Sequence, residues 1–509
     1  MRVESTSGAR RQRWLPVAAT IAVTVTTLSS AGAGSAGVAS AGPAFSGSFK
    51  GWMGSATATA QQTLPQVRNL IGASSGAAAT LTGAGVGVAL IDTGVSPVAG
   101  LSPAQIVNGP DLSFESQAPA LRYLDTYGHG THMAGIINGN GNGNGNVGIA
   151  PKSKVTSVKV GTSNGTVDVS QVMAAVDWII QHRNDDPAYP IRVINLSYGT
   201  AGSPSSQTDP VSFAVEQAWK AGIVVIAASG NEASSTVSNP GNNGYVIAVG
   251  SSATKGTVTR ADDTVSTFAN GMYNRWGRNF DVAAPGESIL SLRVPGSSID
   301  NAFSNARVGD VGFRGSGTSQ AAAVTSGATA LLLQARPSLT PDQVKKILIS
   351  SGVPLSPTDS GRNALNLNAA LAMATPSHTQ ASLTPATGTG LLEAARGPAH
   401  VEFNHASLSG ERSIFGPLSS ANWASRSRAR TAWAGGVWMG SRFAGDGWTG
   451  TSWASRTWGG ATWSGTAWNG QPWADPTWSG RYWSGRYWSG GEWSGRYWSS
   501  DTWASTSWG

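Results

Sequence analysis

The sequence predicts an α/β fold in three layers, with a mainly parallel sheet between helices. Short apolar runs such as Val86–Ile91 and Val193–Leu196 have the length and composition of buried strands. Between these runs, Val172, Val176 and Ile179 fall on one face of a segment with helical periodicity. Strands that alternate with helices favour a parallel sheet covered on both faces.

The alternation continues along the chain. Phe213–Lys220 is predicted to be a helix that ends at Gly222, and Ile223–Ala227 is predicted to be the next strand. Thr340 followed by Pro341 is typical of a helix start, because proline is favoured in the first turn.

Composition excludes several classes of protein. The 509 residues include 34 Lys and Arg against 27 acidic residues, and only 12% of residues are charged. No long run of Lys and Arg occurs, so we predict no nucleic-acid partner. The chain has no cysteine, which excludes disulfides, zinc–thiolate sites and cysteine nucleophiles.

Residues 1–41 have the features of an export signal. Several arginines precede the apolar stretch Trp14–Leu28, which is short for a membrane span, and Ala-x-Ala sites end at Ala33 and Ala41. An uncleaved anchor is the alternative. We therefore expect a protein that is secreted or associated with the cell surface.

The rest of the chain divides by composition. Four segments follow the signal: a linker at 42–63, a globular region at 64–374, a connector at 375–420 and a tail at 421–509. Only the globular region is long and apolar enough to bury a large core without disulfides.

The tail carries a five-residue repeat. From Trp433 to Trp508 an aromatic residue recurs at every fifth position, in sixteen positions of which fifteen are Trp and one is Phe443. Trp423 lies on the same register. A period of five forms no stripe on a helix and alternates faces on a flat strand. A turn-rich solenoid and an irregular, disordered tail both fit the pattern.

Two Gly-flanked segments carry reactive side chains. Asp92 ends the first predicted strand, at the edge of the sheet where open α/β folds place their sites, although an Asx-turn would also explain it. His129 lies between Gly128 and Gly130, which leave its imidazole accessible. His132 lacks the spacing and the Glu of a zinc-protease motif, so we interpret it as structural.

A third segment carries Ser319, in Gly317-Thr318-Ser319-Gln320 before an apolar helix. A serine in the first turn of a helix lies at the positive end of the helix dipole, and its backbone N–H can face an oxyanion. An N-cap serine is the simpler explanation of this segment alone.

Asp92, His129 and Ser319 together occur in the chain order Asp, His, Ser. On these residues the globular region resembles the subtilisin-like serine peptidases. The resemblance extends through the segments Val86–Val95, His129–Gly135, Gly148–Pro151, Val193–Gly199, Ala227–Asn231 and Gly317–Gly327.

The resemblance implies a secreted serine endopeptidase with a subtilisin-like fold and with protein or peptide substrates. Ser319 would be the nucleophile, His129 the general base, Asp92 its orienting partner and Asn231 the oxyanion donor. The walls of the substrate pocket would be Ser197, Tyr198, Gly199, Ala228, Ser229 and Gly230. These walls carry no charge, so we expect apolar or aromatic residues before the cleaved bond.

The Gly-Asn run between His129 and Gly148 matches the length of a calcium loop in part of the family. Hard-cation ligands could come from Asn140, Asn142, Asn144 and Asn146. The segment 96–101 lacks the carboxylate that the family site takes from it, and a flexible loop explains the run equally well. We expect no required cofactor. If the run is a calcium loop, the calcium would be a structural ion.

Two other functions remain open at this level. The chain could be an inactive subtilisin-like scaffold whose Trp tail binds cell-wall polysaccharide or a membrane surface, because exposed Trp stacks on sugars and lies at bilayer interfaces. It could also transfer the acyl group to an amine.

Gln320 replaces a Met that is frequent after the family's nucleophile, so we expect resistance to peroxide.

Overall fold

The computed structural model describes most of the chain between residues 62 and 440. The described residues are 62–117, 121–141, 145–165, 167–200, 207–271, 278–355, 363–377, 380, 382–398, 400–403, 406–414, 416–434, 437–440 and 493–494. The predicted signal, almost all of the predicted linker and most of the Trp repeat lie outside them.

The helices alternate with the strands through most of the described chain. The α-helices are α1 (Leu64–Leu70), α2 (His129–Asn138), α3 (Val169–His182), α4 (Pro210–Lys220), α5 (Ser298–Ala302), α6 (Thr318–Ala335), α7 (Pro341–Ser350), α8 (Leu367–Ala372), α9 (Leu392–Arg396) and α10 (Ser420–Arg428).

The strands are short, as is usual in a twisted α/β sheet. They are β1 (Gly87–Asp92), β2 (Ile106–Asp111), β3 (Asn140–Gly141), β4 (Asn146–Val147), β5 (Lys154–Lys159), β6 (Ile191–Leu196), β7 (Val224–Ala228), β8 (Ile247–Ala253), β9 (Thr264–Val265), β10 (Val282–Pro285), β11 (Ile289–Leu292), β12 (Arg307–Val308), β13 (Gly312–Gly315), β14 (Val353–Pro354), β15 (Asn363–Ala364), β16 (Glu402–Phe403), β17 (Ala406–Ser407), β18 (Arg412–Ser413), β19 (Gly416–Pro417), β20 (Trp433–Ala434), β21 (Val437–Trp438) and β22 (Trp493–Ser494).

The central sheet has the order β14-β15-β10-β8-β7-β6-β1-β5-β2, and β9 pairs with β8 outside this path. The neighbours from β15 to β2 are parallel, and only the pairs β14–β15 and β8–β9 are antiparallel. Every residue of β1 and β7 is buried. Continuous apolar strands of this kind need cover on both faces, which explains the predicted three-layer arrangement.

Two helical layers cover the sheet. Helix α6 packs against α2 and against the central strands on one face, and α3 packs against α4 on the other. Helix α6 is buried from Thr318 to Leu333, so it forms the centre of its layer. Because β1, β6 and β7 run parallel as neighbours, the segments that follow them emerge at the same edge.

The helix starts follow from their capping residues. Asp168 caps α3 through its carboxylate and forms a capping box with Gln171. Thr340 caps α7 with Pro341 in the first turn, as the sequence predicts. Each such cap stabilises its helix by about 1 kcal/mol.

No helix within the described residues combines the length and apolarity that crossing a membrane requires.

The first residues after the globular region pack against its helices. Helix α9 contacts α3 and α4, helix α10 contacts α4, and strand β20 contacts α3. Three tryptophans of the C-terminal segment, Trp423, Trp433 and Trp438, belong to the main hydrophobic core.

Candidate active site

Asp92 and His129 are joined directly at the carboxyl edge of the sheet. Asp92 is the last residue of β1, and His129 is the first residue of α2. The Nδ1 atom of His129 lies 2.8 Å from Oδ1 and 3.0 Å from Oδ2 of Asp92. Both side chains are buried. A carboxylate in this position holds the imidazole with Nδ1 protonated and leaves Nε2 as the base.

The glycines around His129 are required by this close approach. Gly128 has a φ of 105°, a conformation that other residues rarely adopt. A Cβ atom on Gly130 would collide with the carbonyl oxygen of Gly94 and lie 3.1 Å from Oδ1 of Asp92. A side chain on Gly130 would therefore separate α2 from β1, and one on Gly128 would collide with Ser297 and Ile299.

Ser319 is the second residue of α6, and only 2% of it is exposed. The helix that contains it packs against α2, which begins at His129. Ser319 and His129 therefore lie in the first turns of two helices that contact each other. The N-terminus of a helix of this length also provides a positive potential for a developing anion.

Asn231 lies beside the start of α6 and is held by Thr318. Its Oδ1 accepts hydrogen bonds from the Thr318 backbone N–H at 2.7 Å and from the Thr318 hydroxyl at 2.8 Å. Because Oδ1 is the acceptor of both, Nδ2 is the end of the amide that remains available as a donor. A Cβ on Gly317 would lie 3.2 Å from this Nδ2, so glycine keeps the space beside it open.

The predicted pocket walls follow neighbouring strands. One wall comes directly after β6 and the other overlaps the end of β7, and β6 and β7 are parallel neighbours in the sheet. Gly199 abuts Ser238, whose Cβ would lie 2.7 Å from a Cβ on the glycine. Glu232 lies next to the second wall, where its Oε2 accepts hydrogen bonds from the backbone N–H of Asn231 and from Asn270.

A buried network behind Asp92 was missed by the sequence analysis. Asp125 accepts hydrogen bonds from the hydroxyl of Thr93 and from the backbone N–H groups of Gly128 and Thr131, each at 2.7 Å. The Thr93 hydroxyl oxygen also accepts from Gly130 N–H at 2.9 Å. Burial raises the pKa of Asp125, and the two backbone donors oppose this shift. The network fixes the turn that follows Asp92 against the start of α2.

A buried ion pair lies deeper in the same region. The Nζ of Lys159 donates to the carbonyl of Thr93 at 2.7 Å and lies 3.0 Å from Oε2 of Glu115. Burial raises the pKa of Glu115 to about 7, although the Lys159 ammonium opposes the shift. The pair holds the backbone of Thr93, the residue that follows Asp92.

His132 lies one turn after His129 and is fully buried. Burial, and then the charge of His129, lower its pKa to about 3. It therefore stays neutral at ordinary pH, in agreement with the predicted structural role.

The Asn-rich loop supplies few free ligands among the described residues. In Asn146, Oδ1 accepts from Leu64 N–H at 2.7 Å and Nδ2 donates to the Leu290 carbonyl at 3.1 Å. Asn140 is exposed, and Asn142 and Asn144 lie outside the described residues. No group of three or more His, Cys, Asp or Glu side chains that could hold a metal occurs in the described part of the chain.

The fold and the chain order of Asp92, His129 and Ser319 indicate the subtilase class of proteins. The chain belongs to the subtilase family, because residues 83–376 match the family model for the subtilase peptidases. The match ends before the Trp repeat.

Curated relatives lead to the same class. The chain is 39% identical over 276 residues to the serine protease AprX of Bacillus subtilis (strain 168). The match covers 53% of this chain and 61% of AprX. It is 32% identical over 317 residues to subtilisin DY of Bacillus licheniformis. This match covers 61% of this chain and 99% of subtilisin DY. The chain thus spans less than two thirds of the length of AprX.

Among solved structures, the chain is similar to a cold-adapted subtilisin-like serine proteinase. The identity is 28% and the TM-score is 0.43, with coverage of 56% of this chain and 90% of that one.

Proposed function

We propose that the chain is a secreted serine endopeptidase that hydrolyses peptide bonds through an acyl-enzyme on Ser319. The observation that carries the proposal is the buried hydrogen bond between Nδ1 of His129 and Oδ1 of Asp92, at 2.8 Å, at the start of a helix that packs against the helix containing Ser319. A neutral imidazole in this tautomer has a basic Nε2, which a hydroxyl nucleophile requires.

The proposed reaction has two halves. In the first, Oγ of Ser319 attacks the scissile carbonyl carbon while Nε2 of His129 takes the hydroxyl proton and then gives it to the leaving amine. In the second, water attacks the acyl-enzyme, His129 takes the proton of the water, and Ser319 is released. Asp92 stabilises the imidazolium in both halves without taking its proton.

The oxyanion would be held by two donors. The backbone N–H of Ser319 lies in the first turn of α6, and Nδ2 of Asn231 is oriented by the two hydrogen bonds from Thr318. Donors that are fixed before the reaction stabilise the developing charge without reorganising, and one such donor contributes about 2.7–4 kcal/mol to the barrier.

The substrate would lie as an added strand between the two wall segments. We propose an apolar or aromatic residue before the cleaved bond, because the wall residues themselves carry no charge. Cleavage profiling with a peptide library tests this preference. A dominant preference for Lys or Arg would contradict it and would indicate that the nearby Glu232 controls the pocket.

A serine-reactive phosphonate tests the main proposal. We expect it to label the full chain at Ser319 and not to label the Ser319→Ala variant, in which peptide hydrolysis should fall by about 10⁶-fold. Ser316→Ala is the matched control, because this serine lies three residues earlier and outside the proposed triad. A chain that folds but neither reacts nor hydrolyses peptides would instead be the inactive scaffold.

The remaining parts of the proposal concern export, the Trp repeats and calcium. Export is supported by the composition of residues 1–41 and by the name of one relative, the extracellular serine proteinase of Thermus sp. (strain Rt41A). The later Trp repeats are proposed to bind cell-wall polysaccharide or a membrane surface, which pull-down with and without residues 441–509 would test. The described loop residues offer no carboxylate for calcium, so no step of the mechanism depends on it.

A further inference from the structure

One helix of the sheet cover carries polar groups that bind the C-terminal segment. On α3, three residues lie on one side of the helix at spacings of three and four: Ala174, Asp177 and Gln181. In an ordinary surface helix this side would face water. Here Asp177 is only 3% exposed, because residues of the C-terminal segment cover it.

Asp177 is the centre of the contact. Its Oδ2 accepts the indole N–H groups of Trp423 at 2.8 Å and of Trp438 at 2.9 Å, and its Oδ1 accepts the hydroxyl of Ser427 at 2.5 Å. All three donors are neutral and all three come from the C-terminal segment. Burial raises the pKa of this carboxyl to about 6, and the three hydrogen bonds oppose the shift.

The neighbouring groups on α3 bind the third tryptophan. The indole N–H of Trp433 donates to the carbonyl of Ala174 at 2.8 Å. The Gln181 side-chain amide pairs with the backbone of Trp433 through two hydrogen bonds, each 3.1 Å long. A side-chain amide that bonds both the N–H and the carbonyl of one residue replaces a strand neighbour, so the hairpin formed by β20 and β21 is fixed to the helix.

The tryptophans that make these contacts lie on the five-residue register of the tail. Trp423, Trp433 and Trp438 are joined by Arg428, which occupies the register position between the first two. Its guanidinium lies 5.1 Å from the ring centre of Phe213 on α4, and Trp423 meets the same ring edge-on at 5.5 Å. Four successive register positions therefore contact the outer side of α3 and α4.

A second anchor precedes these contacts. Arg396, at the end of α9, is buried and donates from Nε to Oδ2 of Asp168, the capping residue of α3, at 2.7 Å. It also donates to the carbonyl of Gly410 at 2.7 Å. The chain from α9 to β21 thus follows α3 from its first residue to its last turn.

We propose that the outer side of α3 around Asp177 is a docking site for indole side chains, and that its occupant is the segment 420–438 of this chain. The first positions of the Trp register fasten the C-terminal extension to the peptidase. These contacts are made to α3 and α4, whereas His129 and Ser319 lie in the first turns of α2 and α6. The tryptophans of this segment are consequently unavailable for binding sugars or lipids.

The test is trypsin cleavage of the full chain with Ser319→Ala, which prevents self-digestion. Arg426, Arg428 and Arg430 are exposed but lie in or next to the docked helix α10, so cleavage requires the segment to detach. Asp177→Leu removes the acceptor oxygens and leaves both buried indole N–H groups without their partner. We expect this variant to be cleaved there about tenfold faster or more, because proteolysis follows the population of the open form.

Three further variants keep the proposal open to refutation. Asp185→Leu, just beyond α3 and outside the contact, should leave the cleavage rate unchanged. Trp438→Phe removes one N–H donor and keeps the ring, so it should accelerate cleavage, whereas Trp463→Phe, on the same register outside the described residues, should not. With the serine restored, Asp177→Leu should retain its kcat/KM on a short peptide.

If Asp177→Leu abolishes folding, Trp438→Phe decides the question. Cleavage that is equally slow in Trp438→Phe, Trp463→Phe and the parent would overturn the proposal. Equal acceleration by both tryptophan variants would overturn it as well, because the effect would then belong to the whole repeat and not to the docked segment.

Discussion

The hydroxyl of Thr318 has a defined place in the proposed mechanism, since it is one of the two donors that orient Asn231. It also accepts from the backbone N–H of Gly230 at 3.2 Å. Thr318→Val keeps the shape of this buried side chain and removes both hydrogen bonds. The backbone N–H of Thr318 still holds Oδ1 of Asn231 at 2.7 Å, so we expect the amide to be loosened and not lost.

The expected effect can be bounded from both sides. Loss of the whole donor in Asn231→Ala should lower kcat by about 10²–10³-fold, with KM nearly unchanged. One neutral hydrogen bond contributes about 0.5–1.5 kcal/mol. Thr318→Val should therefore lower kcat by about tenfold, which corresponds to about 1.4 kcal/mol. Thr318→Ser retains the hydroxyl and should recover most of the loss.

A double-mutant cycle separates this role from a general effect on structure. The four proteins are the parent, Thr318→Val, Asn231→Ala and the double variant, each assayed on one peptide ester and one peptide amide. If the hydroxyl acts through Asn231, Thr318→Val has almost no further effect once Asn231 is replaced. A further tenfold loss in the double variant would show that the two effects add, and the reasoning would be wrong.

Three other predictions concern stability, oxidation and ions. The pKa of His132 is held at about 3, below its usual 6.5, so at this histidine the unfolded state binds more protons between these values, and His132 should lower stability by about 1.4 kcal/mol per pH unit as the pH falls below 6.5. His132→Gln in the Ser319→Ala chain should remove this contribution from the pH dependence measured in denaturant titrations, and an unchanged slope would contradict the assignment; His182→Gln, a partly buried histidine, is the control. Hydrogen peroxide should inactivate Gln320→Met but spare the parent, and rapid loss in the parent would refute this. Chelation with EDTA should leave peptide hydrolysis unchanged, and lost activity that calcium restores would show a required ion.

The elements that the sequence predicts best are those with continuous apolar strands or strong caps. Gly87–Asp92 and Val224–Ala228 match their predicted strands to within one residue at each end, since both are buried in the middle of the sheet. The strand Ile106–Asp111 was not predicted. It lies at the edge of the sheet and contains Gly109 and Pro110, which interrupt any strand pattern.

The residues of the candidate site also differ in how well the sequence predicts them. Asp92, His129 and Ser319 could be found because each lies in a short segment whose glycines mark a sharp turn or close approach. Thr93 and Asp125 gave no such signal, because their partnership depends on a 2.7 Å contact between residues 32 positions apart. Only the fold brings such residues together, so sequence spacing alone could not identify the support behind the triad.

The five-residue period of the tail shows why periodicity failed there. A single helix or strand cannot place every fifth side chain on one side, and the docked segment uses both. The register positions 423 and 428 lie in α10, and 433 and 438 lie in the β20–β21 hairpin, with a turn between them that includes Arg430 at a φ of 57°. The surface of α3 and α4, not a regular secondary structure, is what these positions share. A repeat of this kind is defined by the partner that it contacts, and the positions of Asp177 and Phe213 are not visible in the repeat itself.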